Sequence, residues 1–137
     1  MAIAEGRTLP FVGPEHVDAA VLECFDYAGP DQEIVTETDE FSAVCPYSGL
    51  PDFARLTIRY QPRSRCVELK SLKYYVVSYR NVGIFQEHAT AKIAEDLFRV
   101  LEPRWLEVKT VYNVRGGFLT TCVVRLPADR KAEAGPA

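Results

Sequence analysis

Between Phe53 and Tyr60 the chain alternates residue by residue: Leu56, Ile58 and Tyr60 face one way, Arg55, Thr57 and Arg59 the other. That is the period of a β-strand with one face buried and one in water. Such a strand needs partners, because a lone strand or hairpin is marginal in water. Three other segments can supply them. Glu33–Glu40 carries Ile34 and Val35, then Thr36-Glu37-Thr38, and reads as an edge strand. Arg104–Val114 alternates, Gly116-Gly117 signals a hairpin turn, and Phe118–Leu126 reads as the return strand. Gln86–Leu101 has a helical period instead. Ala89, Ile93, Leu97 and Val100/Leu101 form one stripe, and Pro103 ends it.

Lys70–Tyr79 fits both periods. Tyr74-Tyr75-Val76-Val77 favours a strand by propensity, whereas Leu69, Leu72, Val76 and Tyr79 fit helical spacing. Asn81-Val82-Gly83 ends the element either way. Residues 15–24 read as a short helix, Ala28–Asp31 and Gln61–Arg65 as turns, and Cys66–Leu69 as an extended piece. Strand, strand, one or two helices, strand, strand predicts an α+β fold: an antiparallel sheet with helices on one face. Its two open edges would be protected by closure against neighbouring subunits.

A chain of 137 residues supports one domain. Residues 1–30 read as an N-terminal arm, 31–126 as the core and 127–137 as a flexible tail. The net charge of −3 disfavours a nucleic-acid partner, since duplex-binding modules are usually basic. The longest apolar runs, Ala19–Leu22 and Tyr74–Val77 among them, are far short of the twenty or so residues of a membrane span. Glu5 and the lack of an apolar h-region argue against a signal peptide, so a cytoplasmic location is expected. Cys24, Cys45, Cys66 and Cys122 are then expected to be free thiols. They form no C-x-x-C pair, and His16 and His88 are the only histidines, so no metal site is expected.

Four places could carry chemistry. Cys45 stands seven residues before Asp52 in the loop Cys45-Pro46-Tyr47-Ser48-Gly49-Leu50-Pro51-Asp52, where prolines and glycine oppose a regular ladder. A thiolate with a carboxyl nearby suits nucleophilic catalysis; by spacing alone, a small buried cysteine beside a solvated turn aspartate fits better. Lys70 and Lys73 would share a helical face and could hold a phosphorylated ligand, though a solvated charge run is the commoner meaning. Arg115 at a hairpin tip could clamp a phosphate or simply flank an ordinary turn. In Gln86-Glu87-His88, Glu87 could accept two N–H bonds from a guanine-like edge, or only favour the helix dipole.

Together these fragments resemble the short, single-module form of the queuosine-pathway nitrile reductases, the NADPH-dependent 7-cyano-7-deazaguanine reductase family (QueF). The resemblance runs from about Phe41 to Leu126. It rests on Cys45-Pro46, Gly49-Leu50-Pro51-Asp52-Phe53, Ser78-Tyr79-Arg80-Asn81, Phe85-Gln86-Glu87, Pro103-Arg104 and Arg115-Gly116-Gly117. Its most specific part is Glu68-Leu69-Lys70-Ser71-Leu72-Lys73-Tyr74-Tyr75, similar to the family's signature for the reduced cofactor.

The resemblance implies the tunnelling fold shared with GTP cyclohydrolase I. Subunits of four antiparallel strands and two helices on one face would join into barrel rings, here a homodecamer with sites between subunits. It also implies that Lys70–Arg80 is helical. The implied reaction reduces a nitrile to a primary amine with two NADPH. The Cys45 thiolate would add to the nitrile carbon and form a thioimide, and Asp52 would protonate the nitrogen. Hydride transfer would give a thiohemiaminal, then an imine on loss of the thiol, then the amine. Glu87 and Gln86 would bind the base, and Glu68 with Val67 and Leu69 would line its pocket. Lys70, Ser71, Lys73 and Arg115 would hold the cofactor. Many members carry His where Gln86 stands, and some carry a second cysteine near Ala89; no imidazole role and no redox lock are implied here.

Three other readings compete. An amidinotransferase-like relative would use Cys45 and Asp52 on the same nitrile without NADPH, but the Lys70–Lys73 signature opposes it. A pterin-type cyclohydrolase would need a zinc set that the sequence lacks. A non-catalytic oligomeric module would bind a purine-like ligand and have no cysteine of unusual reactivity.

Overall fold

The alternating segment is one of the two central strands of a sheet. In the computed structural model, which describes residues 3–128, the elements are β1 (Cys24–Asp26), β2 (Ile34–Val44), β3 (Pro51–Gln61), β4 (Arg65–Val67), α1 (Leu69–Val77), α2 (Gln86–Leu101), β5 (Trp105–Tyr112) and β6 (Thr121–Leu126). Antiparallel pairing orders the main sheet β2-β3-β5-β6, and β1 and β4 form a separate ribbon.

The core lies on one face of this sheet. Ala54, Leu56, Ile58 and Tyr60 of β3 and Leu106, Val108, Thr110 and Tyr112 of β5 are buried beneath Ala89, Ile93, Leu97 and Leu101 of α2. Burying each large apolar side chain of that set is worth about 1.5–3 kcal/mol. The other face is charged. Arg59 pairs with Glu33 and Glu107, Arg125 with Glu107, and Arg55 with Asp39. Such exposed pairs contribute at most about 1 kcal/mol each, so they keep the face wet rather than hold the fold.

Several sequence expectations change in detail. The edge strand extends to Val44 because β2 carries a bulge between Thr38 and Phe41. The extra residue reverses the inward phase, so Phe41 and Ala43 are buried where unbroken alternation would turn them outward. Pro51 and Asp52 belong to β3, not to the loop. Pro51 opens the strand, a position that proline tolerates, and Asp52 pairs with Ala43. Asp52 therefore heads the inward row of Ala54, Leu56, Ile58 and Tyr60, and is 5% exposed.

Residues 15–24 do not form a helix. Two single 3₁₀ turns, Pro14–His16 and Ala19–Val21, precede β1. Tertiary contacts override the local pattern: Val17 and Leu22 pack into the core, and the Ser78 and Ser71 hydroxyls take the N–H groups of Asp18 and Glu23. Of the segment 127–137, residues 129–137 lie outside the described residues.

The ambiguous segment is helical from Leu69 to Val77. Glu68 caps it, accepting from Lys70 N and Ser71 N at 2.8 Å each. The buried stripe is Leu72, Tyr75, Val76 and Tyr79, whereas Leu69 is 61% exposed. Tyr75 donates to buried Asp96 of α2 at 2.7 Å and shares a 2.8 Å bond with Tyr79. Lys92 and Arg99 hold the same carboxylate. This buried network, which a strand could not reach in the same register, locks α1 against α2. No helix of the described residues is long and apolar enough to cross a membrane.

Candidate active site

Val44 and Pro51 are register partners, so Cys45–Leu50 is a six-residue loop held at both ends. Cys45 N–H donates to Leu50 O at 2.9 Å and Gly49 N–H donates to Cys45 O at 2.8 Å. Gly49 adopts φ +75°, a conformation that glycine reaches without steric cost. The loop thereby turns its donors inward. Partial burial pushes the Cys45 thiol up, but the N–H groups of Tyr47 and Ser48, the Ser48 hydroxyl and the charge of Arg115 outweigh it, and the thiol sits below its ordinary range. Leu50 N–H donates to Ser48 Oγ at 3.2 Å, which leaves the hydroxyl proton for the sulfur.

Asp52 is the second member. Its carboxylate is paired with the Arg115 guanidinium. Arg115 stands at the tip of the β5–β6 hairpin, where it and Phe118 exchange backbone bonds of 3.0 and 2.9 Å across Gly116-Gly117. Both glycines have positive φ, +57° and +85°, as a tight hairpin turn requires. Residues 63 apart in sequence thus meet at one carboxylate.

The start of α2 adjoins the same corner. The Phe85 ring meets Tyr47 of the cysteine loop edge-on at 5.6 Å and His88 at 6.0 Å. Glu87 is in the first turn, and no side chain caps that helix end. Two residues missed by sequence reasoning belong here. Ser48 is one. Tyr112 is the other: its hydroxyl is buried and has no hydrogen-bond partner among the described residues. Burial, reinforced by the charges of Cys122, Asp52 and Glu87, pushes the phenol well above its ordinary range. Its neighbour along the strand, Thr110, already shares a 2.6 Å bond with Thr90. The alternation of β5 could have flagged a phenol on the core face at the strand's end, beside the Gly-Gly turn.

The other predicted residues lie elsewhere. Asp52 and Tyr60 are eight residues apart on β3, which spans roughly 26 Å of strand. Val67 is tied to the far end, with its N–H donating to the Tyr60 hydroxyl at 3.1 Å. Glu68, Leu69, Lys70, Ser71 and Lys73 follow directly. The Glu68 carboxylate is bound to α1's first N–H groups, which hold it below the usual carboxylate range. Ser71 is buried, with its hydroxyl donating to Glu68 O at 2.7 Å. It shapes the helix start and does not extend into solvent with the two lysines. Among the described residues, neither Lys70 nor Lys73 is in a salt bridge, so both are free to meet phosphate oxygens. That donor set suits a dinucleotide phosphate. No three His, Cys, Asp or Glu side chains of the described residues cluster as a metal site.

Residues 51–131 match the family model described as QueF-like protein. That match starts just beyond the cysteine loop, but pairwise similarity extends further. The chain is 53% identical over 122 residues to the NADPH-dependent 7-cyano-7-deazaguanine reductase of Thermotoga maritima, covering 88% of this chain and 89% of that one. It is 52% identical over 121 residues to the enzyme of the same name from Caldicellulosiruptor bescii, covering 87% and 92%. The enzyme of that name from Chlorobaculum tepidum is 46% identical over 106 residues, covering 76% and 91%. Among solved structures, the archaeosine synthase QueF-Like in the apo form superposes with a TM-score of 0.62 at 21% identity, covering 72% of this chain and 95% of that one. At that identity the likeness concerns the fold.

Proposed function

Because the chain belongs to the QueF family, we propose that it reduces the nitrile of 7-cyano-7-deazaguanine to the aminomethyl group with NADPH. One nitrile, two NADPH and two protons give one primary amine and two NADP⁺. The observation that carries the reading is the corner itself: a donor-lined cysteine, a buried carboxylate and an exposed acid at a helix start.

The chemistry follows from those groups. The Cys45 thiolate adds to the nitrile carbon and forms a C–S bond, giving a covalent thioimide. Negative charge develops on the nitrogen, and Asp52 delivers the proton there. For that, the carboxyl must be released from Arg115 and carry a proton. Glu87 accepts from the donor edge of the base, and Gln86 lies beside it. Bound NADPH supplies hydride. Lys70 and Lys73 hold its phosphates, with Arg115 joining them when it leaves Asp52. Thiols suit this work because they add to an electrophilic carbon and leave again.

The two groups of residues lie at opposite ends of β3, and among the described residues the main sheet ends in β2 and β6, with no further strand paired to either edge except the bridge at Val44. Exposed Leu69, Tyr74, Val77, Phe118 and Leu119 lie on the same molecule. These features support a composite site in which one chain gives Cys45, Asp52 and Glu87 and a neighbour gives Val67–Lys73. They also support the ring assembly of the tunnelling fold, as a homodecamer. Four free cysteines fit a reducing cytoplasm.

The test is NADPH absorbance on mixing the protein with 7-cyano-7-deazaguanine, with mass spectrometry of the product. Two NADPH oxidised per aminomethyl product is the expected result. A covalent adduct on Cys45 without NADPH oxidation would point to an amidinotransferase-like reaction. Neither signal from folded protein would leave a binding module.

A further inference from the structure

Residues 9–12, part of the N-terminal arm, are laid against the cysteine loop. Leu9 N–H donates to Ser48 O at 2.8 Å, and Val12 N–H donates to Asn81 O at 3.0 Å. Gly83 N–H returns a bond to Val12 O at 2.8 Å. Val44 N–H donates to Val82 O at 3.0 Å and Ile84 N–H to Val44 O at 3.2 Å. Val12, the segment 82–84 and Val44 thus lie side by side in parallel, and Cys45 follows directly on Val44. Two glycines fit this packing closely. A Cβ on Gly49 would stand 2.3 Å from the Leu9 carbonyl oxygen, and one on Gly83 would stand 2.5 Å from the Phe11 ring. Neither contact leaves room for a side chain.

Ser48 is the point where this support meets the chemistry. Leu9 holds its carbonyl and Leu50 N–H holds its Oγ. It lies inside the loop that Cys45 N–H and Leu50 O close, and its N–H and hydroxyl are among the groups that hold the Cys45 thiol below its ordinary range. The loop has no ladder of its own to keep Ser48 in that pose. The Leu9 bond is a long-range tie on Ser48, across 39 residues of sequence.

We propose that Leu9–Val12 form a strap that holds Ser48 in place for Cys45, which makes Leu9 a positioning residue of the active site. It acts through Ser48 and does not touch substrate. The inference rests on the reading of Cys45 as nucleophile.

The test follows the rate of Cys45 alkylation against pH, resolved by peptide mass spectrometry, in the full chain. Leu9→Pro deletes the one N–H, and Leu9→Ala keeps it. The unmodified chain should label with a midpoint below the ordinary thiol range, and Leu9→Ala should keep that midpoint. Leu9→Pro should raise it by about one unit, so that labelling at neutral pH slows roughly tenfold. A folded Leu9→Pro with an unchanged midpoint overturns the strap. An ordinary midpoint in the unmodified chain overturns the Cys45 reading, and the strap with it. If Leu9→Pro does not fold, Gly83→Val decides, because it displaces Phe11 without altering the loop. The expected shift has the same direction, and no shift overturns the proposal.

Discussion

The corner around Cys45 and the start of α1 are built to opposite plans. At Cys45, charges and dipoles are matched inside one chain: thiol to Ser48 and the loop N–H groups, Asp52 to Arg115. At α1, the Glu68 carboxylate is engaged by the helix start, while Lys70 and Lys73 are exposed and make no salt bridge among the described residues. A self-contained corner can be tuned for bond making. An exposed cationic face must wait for an anion or another surface. The difference separates a chemical half from a binding half, and mutations should sort accordingly.

The largest effect is expected at the chemical half. Cys45→Ala should abolish both turnover and the thioimide seen by mass spectrometry; residual adduct on that protein would remove Cys45 as the nucleophile. Asp52→Asn keeps the shape and loses the proton. Steady-state turnover should fall on the order of 10²–10⁴-fold, the range of a lost general acid. A drop below tenfold would assign the proton elsewhere.

The binding half should respond in affinity rather than chemistry. Lys70→Ala and Lys73→Ala are each expected to raise the NADPH KM about tenfold, the loss of one charge-assisted contact. The rate of adduct formation should stay unchanged. A slower adduct with an unchanged cofactor KM would erase the division between the halves. The smallest effect is at Tyr112. Its unpartnered hydroxyl is a buried polar group without compensation, so Tyr112→Phe should leave the unfolding free energy unchanged or raise it by up to about 1 kcal/mol, as read by denaturant titration. A clear loss of stability would mean that the phenol has a partner in the folded protein.

How far the sequence reveals this depends on the range of the forces involved. Gln86–Leu101 is legible to the residue, because an unbroken apolar stripe and Pro103 are local signals. α1 is not, since Tyr74-Tyr75-Val76-Val77 has strand propensity and the deciding Tyr75–Asp96 bond spans 21 residues. The inward turn of Phe41 is hidden by the β2 bulge, which the alternation of Glu33–Glu40 does not announce. Cys45, Asp52, Glu87 and Arg115 can each be singled out by residue type and resemblance. Their meeting cannot, because it depends on a hairpin tip reaching back to the head of β3. Tyr112 is marked only by its place in the β5 alternation, and the Leu9 N–H bond to Ser48 leaves no pattern at all.

The most direct test of the divided site is complementation between two impaired chains. Cys45→Ala lacks the nucleophile, and Lys70→Glu/Lys73→Glu lacks the cofactor face. Each alone should be inactive with NADPH at ordinary concentration. Mixed oligomers, verified by native mass spectrometry, should recover about a quarter of the unmodified activity, the fraction of interfaces that pair an intact Cys45 with intact lysines from a neighbour. Mixed oligomers with no recovered activity would place both halves of the site within one chain and contradict the composite site.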